Sequence, residues 1–118
     1  MKNCNSILKF NKYIVNKVYL VNNENYKEDK NANIICAKAA DELLTISDIT
    51  ASFVIGYLGE KVCISGRSIG DINVQLILEK LGGGGHITVA GAQVEGMTQE
   101  EVKQELINRI NEYFTEIS

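Results

Sequence analysis

Two eight-residue runs, Ala51 to Leu58 and Lys61 to Ser68, stand two residues apart, and that spacing constrains the chain more than any other feature. The first reads Ala-Ser-Phe-Val-Ile-Gly-Tyr-Leu and the second Lys-Val-Cys-Ile-Ser-Gly-Arg-Ser. Gly59-Glu60 between them has the length of a tight hairpin turn. Phe53, Val54 and Ile55 are consecutive apolar residues, so the first strand is covered on both faces rather than alternating between core and water. At 118 residues and 45% hydrophobic content the chain suffices for one such core. The expected architecture is a single α/β domain, a small mixed β-sheet of four to five strands with helices packed on it.

The remaining segments supply those elements. Residues 1–12 are polar and read as a lead-in or linker end, which leaves residues 13–118 as the domain. Tyr13 to Val21 is rich in β-branched and aromatic residues, the composition of a strand around Val18 to Val21. Asn22 to Asn33 reads as a surface loop. Asn33 can cap a helix to Leu44, with Ile35, Cys36, Ala39, Ala40, Leu43 and Ile46 on one face and a break at Ser47-Asp48. Asp71 can cap a second helix, in which Val74, Ile77, Leu78 and Leu81 follow the i, i+3, i+4, i+7 rule and Gly82 ends the run. His86 to Ala92 is compatible with a short helical turn, and Gln93-Val94-Glu95 with a brief edge strand. Thr98-Gln99-Glu100-Glu101 is a capping box that opens a last helix, with Val102, Leu106, Ile110, Tyr113, Phe114 and Ile117 as its apolar stripe.

Charge and residue counts exclude several functions. A net charge of −3, with Lys and Arg scattered, gives no field to hold a long phosphate backbone. Cys4, Cys36 and Cys63 form no Cys-x-x-Cys motif and fit free thiols in a reducing compartment. One histidine and no clustered carboxylates leave no usual zinc or two-metal set. No apolar run approaches ~18 residues and the start has no continuous hydrophobic region, so neither a membrane span nor a secretory signal is expected.

Against that background stands Gly82-Gly83-Gly84-Gly85-His86, four glycines and the sole histidine. Glycine lets backbone amides approach an anion, and it equally makes a plain flexible connection. The run is not a Walker loop, because no Lys-Ser or Lys-Thr follows. Nor does it match G-x-G-x-x-G, whose third glycine falls on Ile87 or Thr88. Gly82 is explained as a helix terminator, whereas Gly83, Gly84 and Gly85 are not. Arg67 can grip a phosphate with a fork of donors beside the Ser68 hydroxyl, or form an ordinary salt bridge. Lys80 and His86 are the other polar groups within reach of an anion there.

Ile64-Ser65-Gly66-Arg67-Ser68, then Gly70-Asp71-Ile72-Asn73-Val74-Gln75, then Leu81 through His86, closely resembles the DHH-associated C-terminal domain of DHH phosphoesterases. Ala39-Ala40-Asp41-Glu42-Leu43-Leu44 and Ala51-Ser52-Phe53-Val54 extend the resemblance over most of residues 13–117. The likeness is nearest to the membrane-anchored cyclic-di-AMP phosphodiesterases of Gram-positive bacteria, with Gly66 and Gly91 as departures. It implies a substrate-binding set of Arg67, Ser68, Gly83, Gly84, Gly85 and His86, with Ser65 and Asn73 behind them, and no catalytic or metal residue in this chain. It further implies an upstream DHH domain with two divalent metals, manganese in the usual case, whose activated water opens cyclic di-AMP to the linear dinucleotide. The fragment alone would then hydrolyse nothing, hold no cofactor of its own, and work on the cytoplasmic side without touching the membrane. The rival readings are a nucleic-acid-binding module of a RecJ-like exonuclease or short-oligonucleotide RNase, and a purely structural or dimerisation domain.

Overall fold

The 51–68 hairpin is the centre of the sheet in the computed structural model, which describes residues 11–15, 18–22, 32–45, 49–70 and 72–117. In chain order the elements are β1 (Asn11–Val15), β2 (Val18–Asn22), α1 (Ala32–Leu43), β3 (Ala51–Leu58), β4 (Lys61–Ser68), α2 (Val74–Glu79), β5 (Gly84–Gly85), β6 (Val89–Val94) and α3 (Gln99–Ile117). The six strands lie in the order β1-β2-β3-β4-β6-β5. Only β2 and β3 run parallel; the other neighbours are antiparallel. The mixed sheet is as expected. Its count exceeds five because β1 pairs separately with β2 and because two residues of the glycine run pair with β6.

Strand alternation assigns the hairpin's side chains to two layers. Phe53, Ile55, Val62 and Ile64 join Val74, Ile77 and Leu78 of α2 and Val102, Leu106 and Ile110 of α3 in one buried cluster. On the opposite face Val54 and Cys63 meet Cys36, Ala39, Ala40 and Leu43 of α1. Full burial of a side chain the size of Phe53 or Leu78 contributes about 1.5–3 kcal/mol of transfer free energy. The small Ala39 and Ala40 let α1 approach closely, and Ser52, fully buried, donates its hydroxyl to the Ala40 carbonyl at 2.6 Å. Helix α1 covers β3 and β4 and stops short of β6. The sheet face over β6 and the outer side of β4 is therefore left open.

Several expectations are corrected. Asn11 and Lys12 belong to a strand rather than to the lead-in, since they pair with Asn22 and Val21. Asn33 lies inside the first turn of α1, which already starts at Ala32, so it is not the cap. The break expected at Ser47-Asp48 and the side chain of Ile46 lie outside the described residues, and α1 ends at Leu43. Asp71 also lies outside them, and the α2 cap is Asn73, whose side chain accepts from the Leu76 amide at 3.0 Å. Residues 86–92 hold no helical turn: Val89 to Val94 form β6, an interior strand between β4 and β5 rather than an edge. The small residues Ala90, Gly91 and Ala92 carry too little side chain to set a period, so the pattern could not choose between helix and strand there. Around Thr98 the capping box is complete, with Glu101 N–H to Thr98 Oγ1 at 3.1 Å and Thr98 N–H to Glu101 Oε1 at 2.8 Å.

Candidate functional site

The glycine run is held along its whole length. Gly82 has φ 84°, a left-handed conformation that ends α2, and its N–H reaches the Glu79 carbonyl at 3.1 Å. The Gly83 N–H reaches the Leu78 carbonyl at 2.9 Å, and the two bonds together make a Schellman cap. Gly83 and Gly85 then lie directly on β6. A Cβ at Gly83 would meet the Gly91 carbonyl oxygen and sit 2.6 Å from Ala92 Cβ; one at Gly85 would meet the Val89 oxygen and sit 2.6 Å from Ala90 Cα. Gly84, by contrast, has open space where a Cβ would stand.

Beyond the run the same fixing continues. The His86 N–H donates to the Val89 carbonyl at 2.7 Å, the Ile87 carbonyl accepts from Val74, and the Thr88 carbonyl accepts from Ser68. The segment is thus a clamped loop joining α2, β4 and β6, not a flexible connection. Alternation along the β5–β6 ladder directs the Gly85 N–H away from β6, toward the open side.

Under this loop lies a groove of about 610 Å³ on the sheet face that α1 leaves uncovered, a size within the ~300–1,000 Å³ usual for small-molecule sites. Its floor is three cross-strand pairs, Cys63 with Gln93, Ser65 with Gly91, and Arg67 with Val89. Gly82 to His86 form one wall. In the middle of the floor Gly91 offers no side chain, so a flat group can approach the backbone beside Ser65.

Arg67 is the cation among the described residues that line the groove. Its side chain is only 15% exposed; Nε donates to Asp41 Oδ1 at 2.9 Å and Nη1 to the Gly66 carbonyl at 2.9 Å. A partly buried guanidinium offers its remaining donors to an anion. His86, exposed on the opposite wall, can donate or accept a hydrogen bond. Such an arrangement offers hydrogen-bond donors of the kind that suit a phosphate or a polar ring. Among the described residues no cluster of three or more His, Cys, Asp or Glu could hold a metal, and no helix is long and apolar enough to cross a membrane.

Of the sequence-derived set, Arg67, Gly83, Gly84, Gly85, His86 and Ser65 come together in the groove. Ser68 does not. It is 6% exposed, on the opposite face of β4, and its hydroxyl donates to the Ile72 carbonyl at 2.7 Å and accepts from the Gly70 amide. Asn73 is occupied as the α2 cap, with its N–H on the Tyr113 hydroxyl at 3.0 Å. Lys80 pairs with Glu112 at 3.5 Å and lines a smaller cavity between α2 and α3 with Arg109 and Tyr113.

Sequence reasoning missed Asp41, Cys63 and Gln93. Period-two alternation from Arg67 places Ser65 and Cys63 on one face, so that signal was present; Gln93 required knowing that 89–94 is a strand. Cys63 also has a partner no spacing rule announces, since its Sγ lies 4.0 Å from that of Cys36. The Cys63 sulfur and burial together push the Cys36 thiol well above its ordinary value.

A family profile described as the DHHA1 domain matches residues 11–116. The chain is 51% identical over 82 residues to the cyclic-di-AMP phosphodiesterase GdpP of Geobacillus thermodenitrificans, a match over 69% of this chain and 12% of that protein. It is 42% identical over 90 residues to the cyclic-di-AMP phosphodiesterase PdeA of Listeria monocytogenes, covering 75% of this chain and 14% of that one. The matched part of the chain thus spans only 12–14% of the length of these relatives. In fold it is similar to an exopolyphosphatase-related protein from Bacteroides fragilis, with TM-score 0.65 at 18% identity over 91% of this chain and 34% of that structure.

Proposed function

Since this chain belongs to the DHHA1 domain family, we propose that its groove is the substrate-binding part of a metal-dependent phosphodiesterase that opens cyclic di-AMP to linear pApA. The observation that carries this reading is the juxtaposition of Arg67, held 15% exposed in the floor, with the clamped glycine wall that ends in His86. One partly buried cation in a site shaped by fixed backbone recognises a phosphodiester without a basic surface, which agrees with the net charge of −3. Relatives named as cyclic-di-AMP phosphodiesterases supply the substrate class.

Among the described residues no cluster fits two divalent metals; in this reading an upstream DHH domain of a longer protein would hold them, and they would supply the hydrolytic chemistry. This chain binds and orients: Arg67 neutralises a phosphate, His86 donates to it, and the open floor around Gly91 receives a base. In this reading the longer protein presents the groove on the cytoplasmic side.

An NMR titration of this chain with cyclic di-AMP, pApA and an unrelated single-stranded oligonucleotide tests the reading. The expected result is dinucleotide-induced shifts confined to Ser65, Arg67, Gly82 to His86 and the groove-lining β6 residues Val89 and Gly91, all lost in Arg67→Ala. A uniform response to every oligonucleotide with steep salt dependence, or no response to either dinucleotide, would overturn it.

A further inference from the structure

We propose that Asp41 is a positioning residue for the nucleotide site, holding the Arg67 guanidinium so that its end-on fork faces the groove; this rests on the reading of the groove as a dinucleotide site. The guanidinium presents five N–H donors in a rigid plane. Asp41 Oδ1 takes the Nε donor at 2.9 Å and the Gly66 carbonyl takes one from Nη1 at 2.9 Å. Nε and one Nη1 hydrogen are thereby taken, and both Nη2 hydrogens with the second Nη1 hydrogen are left, enough to meet two phosphate oxygens in parallel.

The carboxylate's own place is fixed by a separate contact. Ser52 stands opposite Arg67 in the β3–β4 register, is fully buried, and donates its hydroxyl to the carbonyl of Ala40, the residue before Asp41. One rung of the sheet therefore carries both the arginine and the anchor of the helix turn that clamps it. Asp41 itself is 63% exposed while Arg67 is 15% exposed, so the carboxylate lies on the rim and does not occupy the floor.

Charge and geometry act in opposite senses here, which makes the role separable. The negative charge of Asp41 weakens the attraction of Arg67 for an anion, whereas the hydrogen bond removes the need to order a long side chain on binding. Ordering one such side chain lowers affinity by roughly 2- to 12-fold. Asp41→Asn keeps an acceptor for Nε and removes the charge; Asp41→Ala removes both.

The experiment measures cyclic di-AMP affinity of the unsubstituted chain, Asp41→Asn, Asp41→Ala and Arg67→Ala, together with exchange of the Arg67 Nε–H by NMR without ligand. Expected are a protected Nε–H in the unsubstituted chain and in Asp41→Asn, lost in Asp41→Ala. Affinity should fall roughly 3- to 10-fold in Asp41→Ala and be retained or improved in Asp41→Asn. Thermal melts should move little for either variant, because the Ser52 bond to Ala40 still holds α1. Binding by Asp41→Ala as tight as that of the unsubstituted chain, while Arg67→Ala loses it, would overturn the role of Asp41 alone, as would an unprotected Nε–H in the unsubstituted chain. Failure of the unsubstituted chain to bind at all would instead overturn the dinucleotide reading on which the role rests.

Discussion

Alanine placed at each position of the glycine run separates a built wall from a loose connection. At Gly83 the new methyl meets the Gly91 carbonyl oxygen and lies 2.6 Å from Ala92 Cβ and 2.9 Å from Ala92 Cα. Carbon atoms prefer about 3.5–4.0 Å, so roughly 1 Å of overlap must be relieved between two stretches of backbone. Overpacking of that kind costs about 1–3 kcal/mol. At Gly82 nothing lies within 4 Å, but φ is 84°, and the left-handed conformation costs a residue with a Cβ about 1–2 kcal/mol. Gly85 combines both penalties, with φ 146° and Ala90 Cα 2.6 Å from the added carbon, and is the most sensitive position. Gly84 has neither, so Gly84→Ala should be neutral or up to about 1 kcal/mol stabilising through the unfolded chain.

With roughly 4 °C per kcal/mol for a domain of this size, circular dichroism melts should show Gly83→Ala lower by about 4–12 °C. Gly82→Ala should drop by about 4–8 °C, Gly85→Ala by the most, and Gly84→Ala should melt at or slightly above the unsubstituted chain. The same Gly84→Ala protein should lose dinucleotide affinity, because its methyl enters the open side of the groove. Equal small shifts at all four positions would refute the reasoning, since that is how a flexible connection responds; so would Gly84→Ala being the least stable of the four.

Two further outcomes follow from the contacts around the groove. Asn73→Ala should destabilise the chain by about 1 kcal/mol through loss of the α2 cap yet leave the affinity of the folded protein for dinucleotide unchanged, as melts and titration in parallel will read; a selective loss of affinity would restore Asn73 to the binding set. Cys36 is 1% exposed and its thiol is pushed up by the neighbouring sulfur and by burial. Native alkylation with iodoacetamide at a pH of about 9 should therefore label Cys36 at least about a thousandfold more slowly than in urea, since reaction must wait for opening of a domain stable by ~5 kcal/mol or more; peptide mass mapping measures it.

Much of this architecture was legible in the residues because local and tertiary preferences agree there. The hairpin at 51–68 and the boxed, striped helix from Thr98 onward each carry turn or cap chemistry and the matching apolar period. Around residues 86–95 they do not agree. Ala90, Gly91 and Ala92 have side chains too small to set a period, and strand β6 forms there because β4 offers an open edge and Gly83 and Gly85 leave room for close approach. The site divided in the same way. Arg67 and the glycines were visible as residue types, but Ser68 and Asn73 sit beside them in sequence and not in space: alternation turns Ser68 to the other face, and helix α2 takes Asn73 for its first turn. Asp41, 26 residues from Arg67, depends on how α1 crosses the sheet, which no local pattern encodes.

The two halves of the groove answer to different physical demands, and that difference explains why the glycines and the arginine must be separate devices. Backbone amides can face a ligand only where the backbone itself is fixed, and here Gly82 and Gly83 give up their N–H groups to α2 while Gly83 and Gly85 give up side-chain space to β6. The wall is rigid because most of its polar groups are already satisfied, so it contributes shape and few free donors. If the groove takes an anion as proposed, net attraction therefore has to come from a side chain, and among the described groove residues that side chain is Arg67, whose single guanidinium must be enough in a chain of net charge −3. It is enough when it is partly desolvated, where Coulomb attraction exceeds that at the surface, and when its donors point one way before the ligand arrives. Burial of Arg67 against β4 meets the first condition and the Asp41 clamp the second. A lysine at the same position would meet neither, since its compact charge stays solvated and its donors rotate, so a titration should find Arg67→Lys binding dinucleotide nearly as poorly as Arg67→Ala despite retaining the charge.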